Sequence, residues 1–458
     1  MSKNDVEFAV LGTYMHAPTL GEVEVVESAL IEVGTSGAID RILHSDDPDF
    51  QARCRTATNN GCLSRLGESQ YLLPGLVDLH VHAPQWPQMG KALDVPLDRW
   101  LQEHTFPLEA RYEDLRFASR VYESLVSALL ANGTTSALYF ATIHQESSTL
   151  LAQICLEHGQ RAFVGKVAMD NPDQCPDYYR ESSAKAGIAA TEAFIDGVKA
   201  LPNNRSGLVQ PVITPRFIPS CTDEMLHGLG LLASQYDCHI QTHCSESDWE
   251  HQYVLDRFGR TDTKCLADFG LATEKSVFAH ANLIDDTDLS ILHEAGVGIA
   301  HCPLSNIYFS NAVFPTRKAL EAGINVGLGT DIAGGPSPSV LVNAQMAVSM
   351  SRTLESGVDR TLNATRRGVA DSRISYKEAF WMATTGGGLA LKTDIGVFKP
   401  GYYFDAIVVD LDAEDSNVVM WPELDEQEDL LQKILFNANR QNICKVWVNG
   451  QTVKQENQ

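Results

Sequence analysis

Short β-rich runs alternate with longer helical stretches along most of this chain, and that alternation limits the possible folds more than any other feature. The runs are GLVDLHVH to His82, TTSALYF to Phe140, RAFVGKVAM to Met169 and VQPVITPRF to Phe217. HIQTH to His243, SVFAHA around His280, VGIAHC to Cys302 and NVGLGTD to Asp331 complete a set of eight. Stretches between them, such as RFASRVYESLVSALLANG and ESSAKAGIAATEAFIDGVKAL, space their apolar residues at helical intervals. Gly133 fits the C-terminal stop of the first of these helices. Strand then helix, repeated eight times, predicts an α/β fold, a (β/α)8 TIM barrel. At 458 residues the chain has room for one such barrel and an accessory piece.

The flanks read differently. Residues 1–73 hold short strands (VEVVESALIEVG, GAIDRIL) broken by the polar loop HSDDPDF, and residues 391–458 hold FDAIVVDLD and ICKVWVNGQTV. Each end alone has too few strands for a stable sheet. Together they predict one small β-sandwich-like domain assembled from both termini, around a barrel at 74–390. PDQCPDYY and LPNNRSG read as surface loops.

Composition then removes whole classes of function. A net charge of −24 opposes nucleic-acid partners, which call for basic surface. No apolar run reaches membrane-spanning length, and Met1–Val10 lacks the basic-then-apolar plan of a secretory signal. The ten cysteines contain no C-x-x-C pair, which fits reduced thiols in a cytoplasmic protein. A small neutral substrate is compatible with all of this.

Reactive residues of a (β/α)8 barrel gather at the C-terminal ends of its strands. His80, His82, His243, His280 and Asp331 all stand at such ends. Strand alternation sends His80 and His82 to the same face, where two neutral imidazoles make half of a divalent metal site. His243 and Asp331 can complete a set that leaves a position open for water. HIQTHCSE adds Glu246 just past the strand, placed to take and return a proton. His280 could be a further ligand or hydrogen-bond the water, and hydrogen bonding is the favoured reading. His301 is either a structural polar residue or a pocket residue. Cys244 and Cys302 read as packing thiols.

Taken in order, PGLVDLHVHAPQ, WLQEHTFPLEARY, NGTTSALYFATIH, GQRAFVGKVAMD, TPRF, HIQTHCSE, AHCPLSN and GLGTDIAGG resemble segments of the amidohydrolase superfamily. HAPQ, YFATIH and TPRF narrow the resemblance to its guanine deaminase branch. The resemblance spans essentially the whole chain. It implies one Zn2+ per chain held by His80, His82, His243 and Asp331, with Glu246, His280 and Asp331 as the catalytic group. It also implies purine contacts from His82, Ala83, Pro84 and Gln85, from Arg216 and Phe217, and from Ile240, Gln241, Thr242, His243 and Asp331. The implied reaction is hydrolytic deamination of guanine to xanthine and ammonia by attack of water at C2, in a cytoplasmic homodimer. Leu79 and Val81 stand where the family has threonine and isoleucine, at places facing away from the metal.

Four alternatives stay open at this level. Relatives with two metals bridge them through a carboxylated lysine, and Lys166 is the only candidate, better read as an ordinary lysine. A related heterocycle (8-oxoguanine, a pterin, a triazine) could be the substrate, or iron the metal. A non-catalytic scaffold on the same barrel would have lost ligands that are all present here. The other zinc deaminase fold, with H-x-E and P-C-x-x-C, is excluded because the chain contains no Pro-Cys dipeptide.

Overall fold

Leu76–His82 is buried along its whole length, as a strand must be when helices and neighbouring strands cover both its faces. The computed structural model describes residues 6–92, 94–204, 206–310 and 312–455. Its first five strands are β1 (Val6–His16), β2 (Glu24–Gly34), β3 (Ile39–Leu43), β4 (Leu63–Arg65) and β5 (Gln70–Pro74). The barrel strands follow as β6 (Leu76–His82), β7 (Thr134–Phe140), β8 (Arg161–Ala168) and β9 (Val209–Pro215). Then come β10 (His239–Cys244), β11 (Ser276–His280), β12 (Gly298–His301) and β13 (Val326–Leu328). The tail adds β14 (Ala406–Asp410), β15 (Ile443–Val448) and β16 (Gln451–Gln455).

β6 to β13 pair in sequence order, each with its neighbour in parallel, and helices fill most of the crossovers. The ring closes at the rim, where Asp331 N–H donates to the His80 carbonyl at 2.8 Å and His82 N–H to the Ile332 carbonyl at 3.0 Å. Val77, Leu138, Phe163, Val212, Val277 and Ala300 come from six strands and share one cluster, so they fill the barrel interior. The helix Leu115–Ala131 ends one residue before Asn132, and Gly133 follows at φ +82°, a conformation that favours glycine.

Strands from both termini form one mixed sheet in the order β16-β15-β14-β5-β1-β2-β3, with β4 beside β1. β5 from the N-terminal part pairs antiparallel with β14 from the tail. The first 73 residues are not all strand and loop, because Phe50–Asn59 is a helix. Its Phe50, Cys54 and Ala57 bury at helical spacing against Ala9 and Leu30. The tail holds a second unforeseen helix, Gln427–Asn437, which buries Leu430, Leu431, Ile434 and Leu435. The loop reading LPNNRSG falls partly on Arg205, outside the described residues; its neighbours form turns.

Candidate active site

The strand ends converge. His80 Nε2 lies 3.2 Å from Asp331 Oδ1, and His82 Nε2 lies 3.4 Å from the same oxygen. His82 Nε2 and His243 Nε2 are 3.1 Å apart. His280 Nε2 stands 3.7 Å from Glu246 Oε1 and 4.0 Å from Asp331 Oδ2. All six side chains are buried.

Simple alternation does not account for every one of these positions. The register of β6 shifts between Asp78 and Val81, so Val77 and Leu79 fill the barrel interior while His80 and His82 still face the site. Such an irregularity re-aims side chains. On β11, Val277 and Ala279 point inward, and His280 joins them through a backbone at φ +72°. Ser245 (φ +47°), Ala281 (φ +52°) and Asp331 (φ +50°) adopt the same strained region. Non-glycine residues cluster in this conformation mainly where a site demands it.

Hydrogen bonds fix which ring nitrogens are free. His243 Nδ1 lies 2.6 Å from the Arg216 carbonyl, which only accepts, so Nδ1 carries the proton and Nε2 presents a lone pair. His280 Nδ1 lies 2.8 Å from the Asn306 amide oxygen, which leaves its Nε2 lone pair toward Glu246 in the same way. Among the described residues, His80 Nε2 and His280 Nε2 are buried without a hydrogen-bond partner. Burial, reinforced by neighbouring cationic groups, holds the pKa of His80, His82 and His243 well below the usual imidazole range, so they are neutral. Burial, then the adjacent Asp331, pushes Glu246 well above the usual carboxylate range. Asp331 is also raised by burial, against the pull of His280.

Lone pairs from neutral imidazoles and a carboxylate oxygen that meet at one buried point suit a bound cation. His80, His82 and His243 could hold a metal ion as a set, as could His80, His280 and Asp331. These nitrogen and oxygen donors fit a divalent ion.

A pocket partly open to solvent lies above this point. His82, Gln85, Arg216, Phe217, His243, Glu246 and Asp331 line it. Of the expected contacts, Ala83, Pro84, Ile240, Gln241 and Thr242 are absent from this lining, and the fold places each of them elsewhere. Ile240 faces outward into the core it shares with Leu226 and Leu229. Thr242 shares that outward parity on β10. Gln241 points inward but one layer lower, donating to the Tyr139 carbonyl at 2.7 Å and to Thr214 at 2.9 Å. Gly165 makes room for that amide, since a Cβ there would come within 2.5 Å of Gln241 Nε2. Ala83 packs in the core beside Val81, and the Pro84 carbonyl accepts from Tyr112 at 2.7 Å.

Lys166 bonds away from the convergent imidazoles, with Nζ 2.6 Å from Glu181 and 3.1 Å from the Val167 carbonyl. A lysine committed to an ion pair is not free to bridge two metals. His301 is buried, and its pKa falls to about 3 through burial and then through nearby His280. Cys244 and Cys302 are buried, and neither belongs to a metal-competent group among the described residues.

Sequence reasoning missed Leu97, Trp100, Leu101, Phe309 and Gly334, which complete the pocket wall. Trp100 and Phe309 meet with ring centroids 5.0 Å apart although they lie far apart in sequence. It also missed Glu109, which grips Arg216 through Nη1–Oε2 at 2.6 Å and Nη2–Oε1 at 3.1 Å. The segment WLQEHTFPLEARY held the available signal, a carboxylate in a mostly apolar stretch.

Residues 71–453 match the model of the amidohydrolase family. A probable guanine deaminase of Schizosaccharomyces pombe is 38% identical over 97% of this chain and 82% of its own length. The guanine deaminase of Homo sapiens is 37% identical over 96% of this chain and 95% of its own length. Among solved structures, guanine deaminase from C. acetobutylicum with guanine bound in its active site superposes with a TM-score of 0.85. That likeness covers 97% of this chain and 99% of the other, at 30% identity.

Proposed function

The chain belongs to the amidohydrolase family, within its guanine deaminase branch, and from that premise we propose that it hydrolyses guanine to xanthine and ammonia with one zinc ion per chain. The observation that carries this reading is the placement of Glu246 and Arg216 on one pocket, directly above the convergent imidazoles.

His80, His82, His243 and Asp331 would hold the zinc, and bound zinc supplies Lewis acidity, lowering the pKa of water from about 16 to about 7. Glu246 takes a proton from the attacking water and returns it to N3 of the ring as oxygen bonds to C2. Its raised pKa suits a group that must both accept and release a proton near neutral pH. His280 offers a lone pair to the water and keeps its other nitrogen on Asn306. Glu246, again ionised, then takes the proton of the new C2 hydroxyl and delivers it to the departing amino group; the C2–N bond breaks, the C2 carbonyl forms, and ammonia leaves. The atoms of guanine and one water are those of xanthine and ammonia.

Arg216 offers donors only, which match acceptors such as O6 and N7 of guanine. Gln85 offers both a donor and an acceptor to the neighbouring edge, and Phe217 gives the ring an apolar face. Guanine is neutral, so the chain's acidic charge does not oppose its entry.

Ultraviolet spectra of guanine, adenine, cytosine, 8-oxoguanine, a pterin and a triazine incubated with the zinc-loaded protein test the assignment. Guanine is expected to convert and adenine to persist, because adenine has no amino group at C2. Preferential turnover of another heterocycle overturns guanine as substrate.

A further inference from the structure

One carboxylate behind the pocket wall, bonded to Arg216 and Gln85, takes no part in the chemistry above. Glu109 is fully buried, and four donors reach it. Its Oε1 accepts from Gln85 Nε2 at 3.0 Å and Arg216 Nη2 at 3.1 Å; its Oε2 accepts from Tyr179 Oη at 2.8 Å and Arg216 Nη1 at 2.6 Å. Those donors fill the four lone-pair sites of a carboxylate. Glu109 therefore cannot bind a ligand itself, and whatever it contributes passes through Arg216 and Gln85.

Two consequences follow from this geometry. The amide of Gln85 is held at both ends, because its Oε1 accepts from Ala333 N–H at 3.1 Å while its Nε2 donates to Glu109. It cannot flip, so its remaining N–H and lone pair keep fixed directions. Arg216 spends two N–H groups on Glu109 and packs over Phe106, with Cζ 5.1 Å from the ring centroid. Among the described residues, its side-chain hydrogen bonds go to Glu109 alone.

The second consequence concerns charge. An unpaired buried guanidinium attracts carboxylates, phosphates and ionised heterocycles. Here the Arg216 charge is cancelled within hydrogen-bond distance by Glu109. The wall keeps its donors but carries no net charge, and an anion placed against Arg216 would also meet the field of Glu109.

We propose that Glu109 is a positioning residue that fixes the hydrogen-bonding pattern of Arg216 and Gln85 and makes the pocket select neutral heterocycles over anionic ones of the same shape. The proposal rests on the reading that Arg216 and Gln85 face the ligand.

The experiment compares metal-loaded wild type with Glu109→Gln, Glu109→Asp and Tyr179→Phe. It measures guanine kinetics, metal content, and calorimetric binding of purine-6-carboxylate. Glu109→Gln is expected to bind the carboxylate about tenfold tighter than wild type and to raise KM for guanine about tenfold, at unchanged metal content. Glu109→Asp keeps the charge, so KM rises without a gain in carboxylate affinity. Tyr179→Phe frees one acceptor site and is expected to raise KM several-fold with kcat held within about twofold. Unchanged carboxylate affinity in Glu109→Gln overturns the proposal. If that variant does not accumulate, wild-type KM in both Glu109→Asp and Tyr179→Phe overturns it. A wild type that ignores guanine, beside a Glu109→Gln that gains carboxylate affinity, overturns the guanine reading and leaves the role of Glu109 standing.

Discussion

Asp78 and Thr330 tie the first barrel strand to the segment that follows the last. Asp78 Oδ1 accepts from Thr330 N–H at 2.9 Å, and Oδ2 accepts from the Thr330 hydroxyl at 2.6 Å. Thr330 immediately precedes Asp331, and Asp78 Oδ1 also accepts from His80 N–H at 3.3 Å. One buried carboxylate thus sets the spacing between two groups of the candidate metal site, one on the first barrel strand and one just past the last. Asp78→Asn can accept at only one of these oxygens. Its metal affinity is expected to fall about 10-fold or more with the fold retained, read by metal titration beside thermal unfolding.

Glu246→Gln preserves shape but cannot carry a proton. We expect metal and purine to bind while kcat falls by at least about 10²–10⁴-fold, because the same group serves two transfers. Single-turnover kinetics with equilibrium guanine binding check this. Near-native kcat would assign the proton to another group.

Arg216→Ala is expected to lower kcat/KM for guanine by about 10- to 200-fold, from the loss of charge-assisted hydrogen bonds. It also leaves Glu109 buried beside only Gln85 and Tyr179. Stripping one partner from a buried pair costs about 3–5 kcal/mol, so urea unfolding should show a loss of that size. Guanine kinetics at wild-type level would remove Arg216 from recognition.

Lys166→Met separates the one-metal and two-metal readings. The lysine is paired with Glu181, which also accepts from Met169 N–H at 2.8 Å. We expect one metal per chain before and after substitution, by elemental analysis, and a stability loss of about 3–5 kcal/mol. Two ions in wild type and one in the variant would restore the two-metal reading.

Chelation supplies the simplest check on the cation. Dialysis against a chelator should abolish guanine turnover, and one equivalent of zinc per chain should restore it. Full activity in metal-free protein would leave the convergent imidazoles without their proposed purpose.

Local periodicity determined much of this molecule before any tertiary contact was known. The alternating runs marked all eight barrel strands, because a strand buried on both faces must be apolar over several residues and ends where polar groups reach the rim. The barrel topology then collects those ends, which is why His80, His82, His243, His280 and Asp331 were legible as a group. Phe50–Asn59 escaped notice because its apolar residues are few and spaced within a polar segment. Tertiary structure alone decided the rest. The irregular register of β6 and the left-handed backbone of His280 change which way side chains point, and neither is written in hydrophobic spacing. Glu109 and Arg216 lie 107 residues apart, so nothing local pairs them. Lys166 binds Glu181 and Ile240 faces the helices because of where the closed barrel puts them. Periodicity acts between neighbours in the chain, whereas a recognition wall depends on which distant groups the closed barrel brings within hydrogen-bond reach.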